Sequence, residues 1–216
     1  MRKLLAVAAS AAALGLVASP AAAGDKADEA IAKKAVLKQS DVPDGWKRES
    51  NTGEEVGTQT GVPECKTFDR ANKAAAKHPH AESPNFSDPD DPLRATTVES
   101  VVFVFPSAKA AKRYLAVYAA GDLLDCFDAL ISASLPGAGE VGVSELDVTG
   151  GDQAVGLEIE IVAGAGTSAS MTVTNDVFVV RAGRGIVGFS TQTAEGSLPF
   201  APDLLDTLVS RLERAL

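Results

Sequence analysis

At 216 residues, with 45% hydrophobic and 23% charged side chains, the chain has the size and composition of one ordinary globular domain with a packed core. A formal net charge of −9 argues against a nucleic-acid partner, which would need Lys and Arg to displace counterions. Two cysteines exclude a disulfide-framework miniprotein and a four-cysteine zinc site, and the two histidines confine any histidine-dependent chemistry to His78-Pro79-His80.

The first segment reads as an address. Arg2 and Lys3 precede an almost unbroken run of Ala, Leu and Val over residues 4–17; Ser19-Pro20 breaks it, and Ala21-Ala22-Ala23 supplies small residues for cleavage. This pattern predicts a Sec-type signal peptide over residues 1–23, removed to leave a single domain over 24–216. The run is shorter than the ~20 residues of a membrane crossing, so no stable membrane insertion is expected. No lipobox Cys follows the small residues and no Arg-Arg pair precedes the run, so the expected product is secreted and untethered. Without Arg2 and Lys3, 18 basic residues face 29 acidic ones, a net charge of −11. No Lys or Arg lies between Arg113 and Arg181, where ten carboxylates fall, so that half cannot hold a polyanion or an anionic membrane by charge. Under oxidising conditions Cys65 and Cys126 are expected to form a disulfide, closing a loop of about 60 residues worth up to ~4 kcal/mol.

Residues 27–38 read as a short helix with Lys33, Lys34 and Lys38 toward its C-terminal end, and Pro43 with Asp44-Gly45 ends it in a turn. Trp46, the single tryptophan, is expected beside the core. A Gly- and Thr-rich flexible loop is expected near 51–63, then a helix over 64–78 with Cys65, Phe68, Asn72 and Ala75 on one stripe. Four prolines between Pro79 and Pro92 predict an irregular, flexible segment near 79–95. Residues 97–105 read as a strand with apolar residues on both faces, and therefore covered on each side. Ser107 is placed to cap a helix from Ala108, and a second helical piece over 122–131 carries Cys126. From Val141 the period becomes two, with strands expected over 141–148, 155–162, 170–181 and 185–193 joined by short Gly-rich turns, hence antiparallel hairpins. Leu204, Leu205, Leu208, Val209 and Leu212 then form the apolar stripe of a closing helix. The expected fold class is α+β: a single antiparallel sheet of about five to six strands packed with helices.

The chemistry-bearing residues assemble no recognisable machinery. His78 and His80 with Glu82, Asp88, Asp90 and Asp91 carry metal donors, but their spacing matches no rigid coordination geometry, and a solvated loop is the simpler reading. No Gly-x-Ser-x-Gly elbow is present. Carboxylates are plentiful but unspecified as a glycosidase pair, and the glycines of Gly183-Arg184-Gly185 sit in a hairpin rather than before a helix. No catalytic residue, metal ligand or cofactor is assigned.

Ala35-Val36-Leu37 followed by Ser40-Asp41-Val42-Pro43-Asp44-Gly45-Trp46 resembles the opening of a group of exported actinobacterial domains: the PknH-like extracellular sensor domains of receptor kinases and related cell-envelope lipoproteins. Val101-Val102-Phe103-Val104-Phe105-Pro106-Ser107-Ala108, the Ala-rich helix after it, Cys126 and the hairpin around Arg181-Ala182-Gly183-Arg184 are similar to that group as well. The resemblance implies an antiparallel sheet with helices on one side, a ligand cleft, no enzyme activity and no cofactor. The chain departs from it in having no kinase domain, no lipobox Cys and one possible disulfide, Cys65–Cys126, where the sensor domain has two. The expected function is a secreted, non-catalytic, sensor-like domain holding a small molecule, lipid or envelope component, with ligand-contacting residues unassigned. A cell-wall protein-interaction module and a carboxylate-dependent hydrolase are the alternatives.

Overall fold

The apolar runs of the sequence assemble into one antiparallel sheet flanked by helices, in a computed structural model that describes residues 23–49, 59–91, 96–134, 138–163, 171–194 and 196–216. The expected leader, apart from Ala23, and most of the expected loop at 51–63 lie outside the described residues. In chain order the elements are α1 (Ala23–Ala35), β1 (Lys47–Glu49), α2 (Lys66–Ala75), β2 (His80–Glu82), β3 (Asn85–Ser87), β4 (Thr97–Val104), α3 (Ala108–Tyr118), α4 (Asp122–Ser134), β5 (Ala138–Leu146), β6 (Gln153–Ala163), β7 (Met171–Ala182), β8 (Gly185–Thr193) and α5 (Ala201–Ala215). The sheet order is β1-β3-β4-β8-β7-β6-β5, with β2 also paired to β4.

Eight strands exceed the five to six expected, and the difference lies in β1, β2 and β3. Each is three residues long, too short for a period of two to register in the sequence. The segment expected to be irregular at 79–95 thus contains two strands. Its prolines explain how: Pro79, Pro84 and Pro89 fall before, between and after β2 and β3, where no ladder N–H is needed. From β4 through β8 the chain runs as expected, and the two-residue turn between β7 and β8 places Gly183 at φ +55°, a conformation that glycine adopts without steric cost.

Helices cover both faces of the sheet, not the one side that the resemblance implied. Apolar residues of both parities on the central strands require this. On one face Val98, Val102, Val104, Phe178, Val180, Val187 and Phe189 pack against Ala32, Ala35 and Leu37 from α1 and its C-terminal exit, and against Leu204, Leu205, Leu208 and Leu212 of α5. On the other, Phe103, Leu157, Ile159, Ile161, Val179 and Ile186 meet Phe68 of α2, Leu115 of α3, and Phe127 and Ile131 of α4. Leu208 and Leu212 are fully buried, each worth about 1.5–3 kcal/mol. Ser107 does cap α3: its Oγ accepts the Ala110 N–H at 3.2 Å, a contact worth ~1 kcal/mol.

Trp46 is a core residue, 8% exposed, packed edge-on against Phe200 with ring centroids 5.6 Å apart. Two Arg–carboxylate forks tie distant segments across this layer. Arg184 in the β7–β8 turn holds Asp28 of α1 at 2.6 Å through each nitrogen, and Arg211 of α5 holds Asp41 beyond α1 at 2.6 and 2.5 Å.

Candidate ligand-binding site

The cysteines meet as expected. Cys65 and Cys126 form a disulfide with Cα atoms 4.6 Å apart, and both are buried between α2 and α4. Beside them, between α2, α3 and α4, a cavity of ≈ 10 Å³ touches Phe68, Leu123 and Cys126, room for a single water and no ligand.

The histidines are packing residues. His80 is 8% exposed in β2, its ring 5.4 Å from that of Phe103, and its Nδ1 lies 2.6 Å from the His78 carbonyl oxygen. His78 packs on Phe105 at 5.0 Å. Burial lowers the pKa of both rings, which favours the neutral form. The reading of this stretch as a solvated loop is therefore corrected for His80, which strand pairing draws into the aromatic layer. Asp88 and Asp91 are spent on turns, accepting from the Asp90 N–H at 2.9 Å and from Thr96 N and Oγ1 at 2.7 Å each. Among the described residues, no three His, Cys, Asp or Glu side chains converge as a metal site.

Next to the histidines lies a closed polar knot. The Tyr114 hydroxyl donates to Asn72 Oδ1 at 3.1 Å and lies 2.9 Å from the Tyr118 hydroxyl, all three residues being buried. Burial raises both phenols, Tyr118 to about 12 and Tyr114 well above its usual value. The knot has no opening to receive a ligand.

The open surface is on the sheet itself. Burial alternates strictly along the first half of β4 and the second half of β8. Val98, Ser100, Val102, Val187, Phe189 and Thr191 are buried under α1 and α5, whereas Thr97, Glu99, Val101, Gly188, Ser190 and Gln192 on the other face are half-exposed. The expectation that this strand is covered on each side holds only at its Phe103–Phe105 end. Register places the half-exposed residues side by side: Thr97 beside Gln192, Glu99 beside Ser190, Val101 beside Gly188. Val177 and Asn175 of β7 extend the same rows, and Glu82 of β2 lies opposite Val101.

This window is polar at one end. A Cβ on Gly188 would meet Val101 Cγ1 at 2.9 Å, so glycine there lets Val101 lie flat along the floor. Glu99 accepts from Ser190 Oγ at 3.2 Å. Desolvation raises its pKa, against the lowering effect of that hydrogen bond. Asn175, beside Gln192 in the next strand, is 4% exposed, and its buried Oδ1 has no hydrogen-bond partner. Valines and glycine supply apolar floor, while Glu99, Ser190, Gln192 and Thr97 supply hydrogen-bonding groups, the mixture that ligand pockets use. None of these residues was assigned from the sequence; the signal was Thr97-x-Glu99 and Ser190-x-Gln192, polar residues at strand spacing.

No family model matches the chain, and no curated protein matches it. Among solved structures, the chain is similar to the extracellular domain of PknH from Mycobacterium tuberculosis at 14% identity and a TM-score of 0.50, over 91% of this chain and 98% of that one. A second match, cyanobacterial PsbP (CyanoP) from Synechocystis sp. PCC 6803, has 15% identity and a TM-score of 0.32 over 81% of this chain and 87% of that one. The first likeness establishes a shared fold.

Proposed function

We propose that this chain is a secreted, non-catalytic, sensor-like domain that holds a small molecule, lipid or envelope component in the sheet window around Glu99. The observation that carries the reading is that, among the described residues, half of one face on the two central strands stays partly exposed while the same strands are buried on the other face. An antiparallel sheet can leave part of a face to water, and here that part combines an apolar floor with hydrogen-bonding groups, the mixture that ligand sites use. The fold shared with an extracellular domain supports export, as does the lack, among the described residues, of any helix long and apolar enough to cross a membrane.

The two alternatives find less support. A hydrolase would need two tuned carboxylates in one cleft. Among the described residues, Glu99 and Asp176 are the two carboxylates with raised pKa values, and they point from opposite faces of the sheet. An interaction module would show an exposed apolar patch, and among the described residues the exposed large apolar side chain is Leu216 at 42%.

The test is native and denaturing mass spectrometry of the protein secreted by its own host, with V101W, which fills the window, and E99Q as variants. Bound mass that disappears on denaturation and is lost from V101W supports the reading. Bare wild-type protein, or mass retained equally by V101W, refutes the window as the site. Denatured mass also reads out cleavage after Ala23.

A further inference from the structure

The face opposite Glu99 carries a second cluster, built of oxygen atoms alone. Ser144, Glu158, Asp176 and Thr191 form one straight row across β5, β6, β7 and β8, and the adjacent row adds Thr174 beside Thr193. The chain after β8 folds back over them: Thr193 Oγ1 donates to the Gly196 carbonyl, and Ser197 Oγ donates to Glu158 Oε2 at 3.4 Å. Asp176 is 1% and Thr174 2% exposed, so both lie beneath this cover.

These oxygens are gathered but poorly satisfied by one another. Asp176 Oδ1 and Thr174 Oγ1 have no hydrogen-bond partner. The contacts that do exist are long, 3.5 Å from Thr191 Oγ1 to Asp176 Oδ2 and 3.4 Å from Ser144 Oγ to Glu158 Oε1, at the outer edge of a hydrogen bond. No Lys or Arg stands on β5, β6 or β8, and Arg181, the one on β7, is held by Asp152 at 2.8 Å near the β7–β8 turn. Two carboxylates in direct cross-strand register, one of them sealed from water, are costly without a cation between them.

We propose that Asp176 and Glu158, with the hydroxyls of Thr174, Thr191 and Ser197, form a binding site for a hard divalent cation, Ca²⁺. The donor set holds no nitrogen or sulfur, which disfavours zinc and copper. Its oxygens come at irregular positions from three strands and a loop, which Ca²⁺ tolerates and Mg²⁺, with its strict octahedron, does not. Hydroxyls make up most of the set, so no trio of acidic side chains marks it. With two carboxylates the affinity belongs with extracellular Ca²⁺ modules, Kd about 10⁻⁴–10⁻³ M. The site is independent of the window around Glu99.

Calorimetric titration of chelator-stripped protein with CaCl₂ should give one saturable equivalent in that range, with thermal unfolding rising by a few degrees beyond a NaCl control of equal ionic strength. D176N should weaken Ca²⁺ at least tenfold while the metal-free variant melts no lower than wild type, since Asn keeps the shape and removes the buried charge. E158Q, at a half-exposed position, should weaken binding as well and serves if D176N does not fold. E99Q should bind normally. No saturable heat up to about 10 mM CaCl₂, equal affinity for MgCl₂, or wild-type binding by both D176N and E158Q would overturn the assignment.

Discussion

Replacing Asp41 with Asn tests whether the tie between the segment after α1 and helix α5 contributes to stability as its geometry says. Asp41 receives both terminal nitrogens of Arg211 at 2.6 and 2.5 Å and the Lys38 N–H at 2.8 Å, and its side chain is 5% exposed. Asn keeps the volume and can accept one of these hydrogen bonds, but it loses the charge and the fork. Breaking a fully buried ion pair costs about 3–5 kcal/mol. Arg211 retains 21% side-chain exposure and can recover water, so the expected loss is about 2–3 kcal/mol. At this chain length that lowers Tm by about 4–12 °C. The effect has a pH signature. Burial pushes the Asp41 carboxyl up, but the Arg211 and Lys38 contacts together hold it below its ordinary value of 3.8. A carboxyl with a depressed folded pKa stabilises fully above its unfolded value and loses that contribution as pH falls through the folded one. Urea unfolding of wild type and D41N should therefore differ by a constant amount from about pH 5 to 7 and converge below about pH 4. R211Q should cost a similar amount, and the double variant no more than the larger single loss. Equal stability at pH 7, a gap that persists undiminished in acid, or additive losses would refute the reasoning.

The chain has two tyrosines, Tyr114 and Tyr118, and both sit in the buried knot with Asn72. Absorbance titration near 295 nm should therefore show no tyrosinate in the folded protein at about pH 10–11, whereas the denatured chain titrates near 10. Because the folded pKa values are raised, stability should fall as pH rises above about 10, where the unfolded state alone ionises; tyrosinate appearing in folded protein at pH 10 would show the knot is open. Reduction of Cys65–Cys126, which spans 61 residues, should lower stability by up to ~4 kcal/mol in the chain-entropy model, read as a shift in urea midpoint; no shift would mean that packing between α2 and α4 alone holds the segments.

Elements long enough to repeat their period were legible in the sequence. β6 alternates Leu157-Glu158-Ile159-Glu160-Ile161 through the register seen in the sheet, and α5 buries the stripe from Leu204 to Leu212. The same rule explains β1 to β3, which escaped because three residues hold no repeat. The window was half legible. Thr97 and Glu99 share a parity, as do Ser190 and Gln192, but Val101 and Phe103 continue the first series as apolar residues, so the strand reads as covered on both sides. Only the length and placement of the helices leave the Thr97 end open while sealing Phe103. Asp41 and Asp176 were not legible as anything but turn and strand residues, since their partners lie at Arg211 and Thr191.

Local chemistry determined the elements themselves: Ser107 starting α3, Gly183 turning β7 into β8, and alternating side chains choosing which strand residues face a core. Tertiary structure decided what those faces meet, because helix docking on a sheet is set by total shape and area rather than by any single run of residues. That docking buried His80 against Phe103, joined Asp41 to Arg211, left Glu99 on an open floor and closed Asp176 under the chain that follows β8. Each depends on contacts between residues far apart in the chain, and a local pattern carries no record of them.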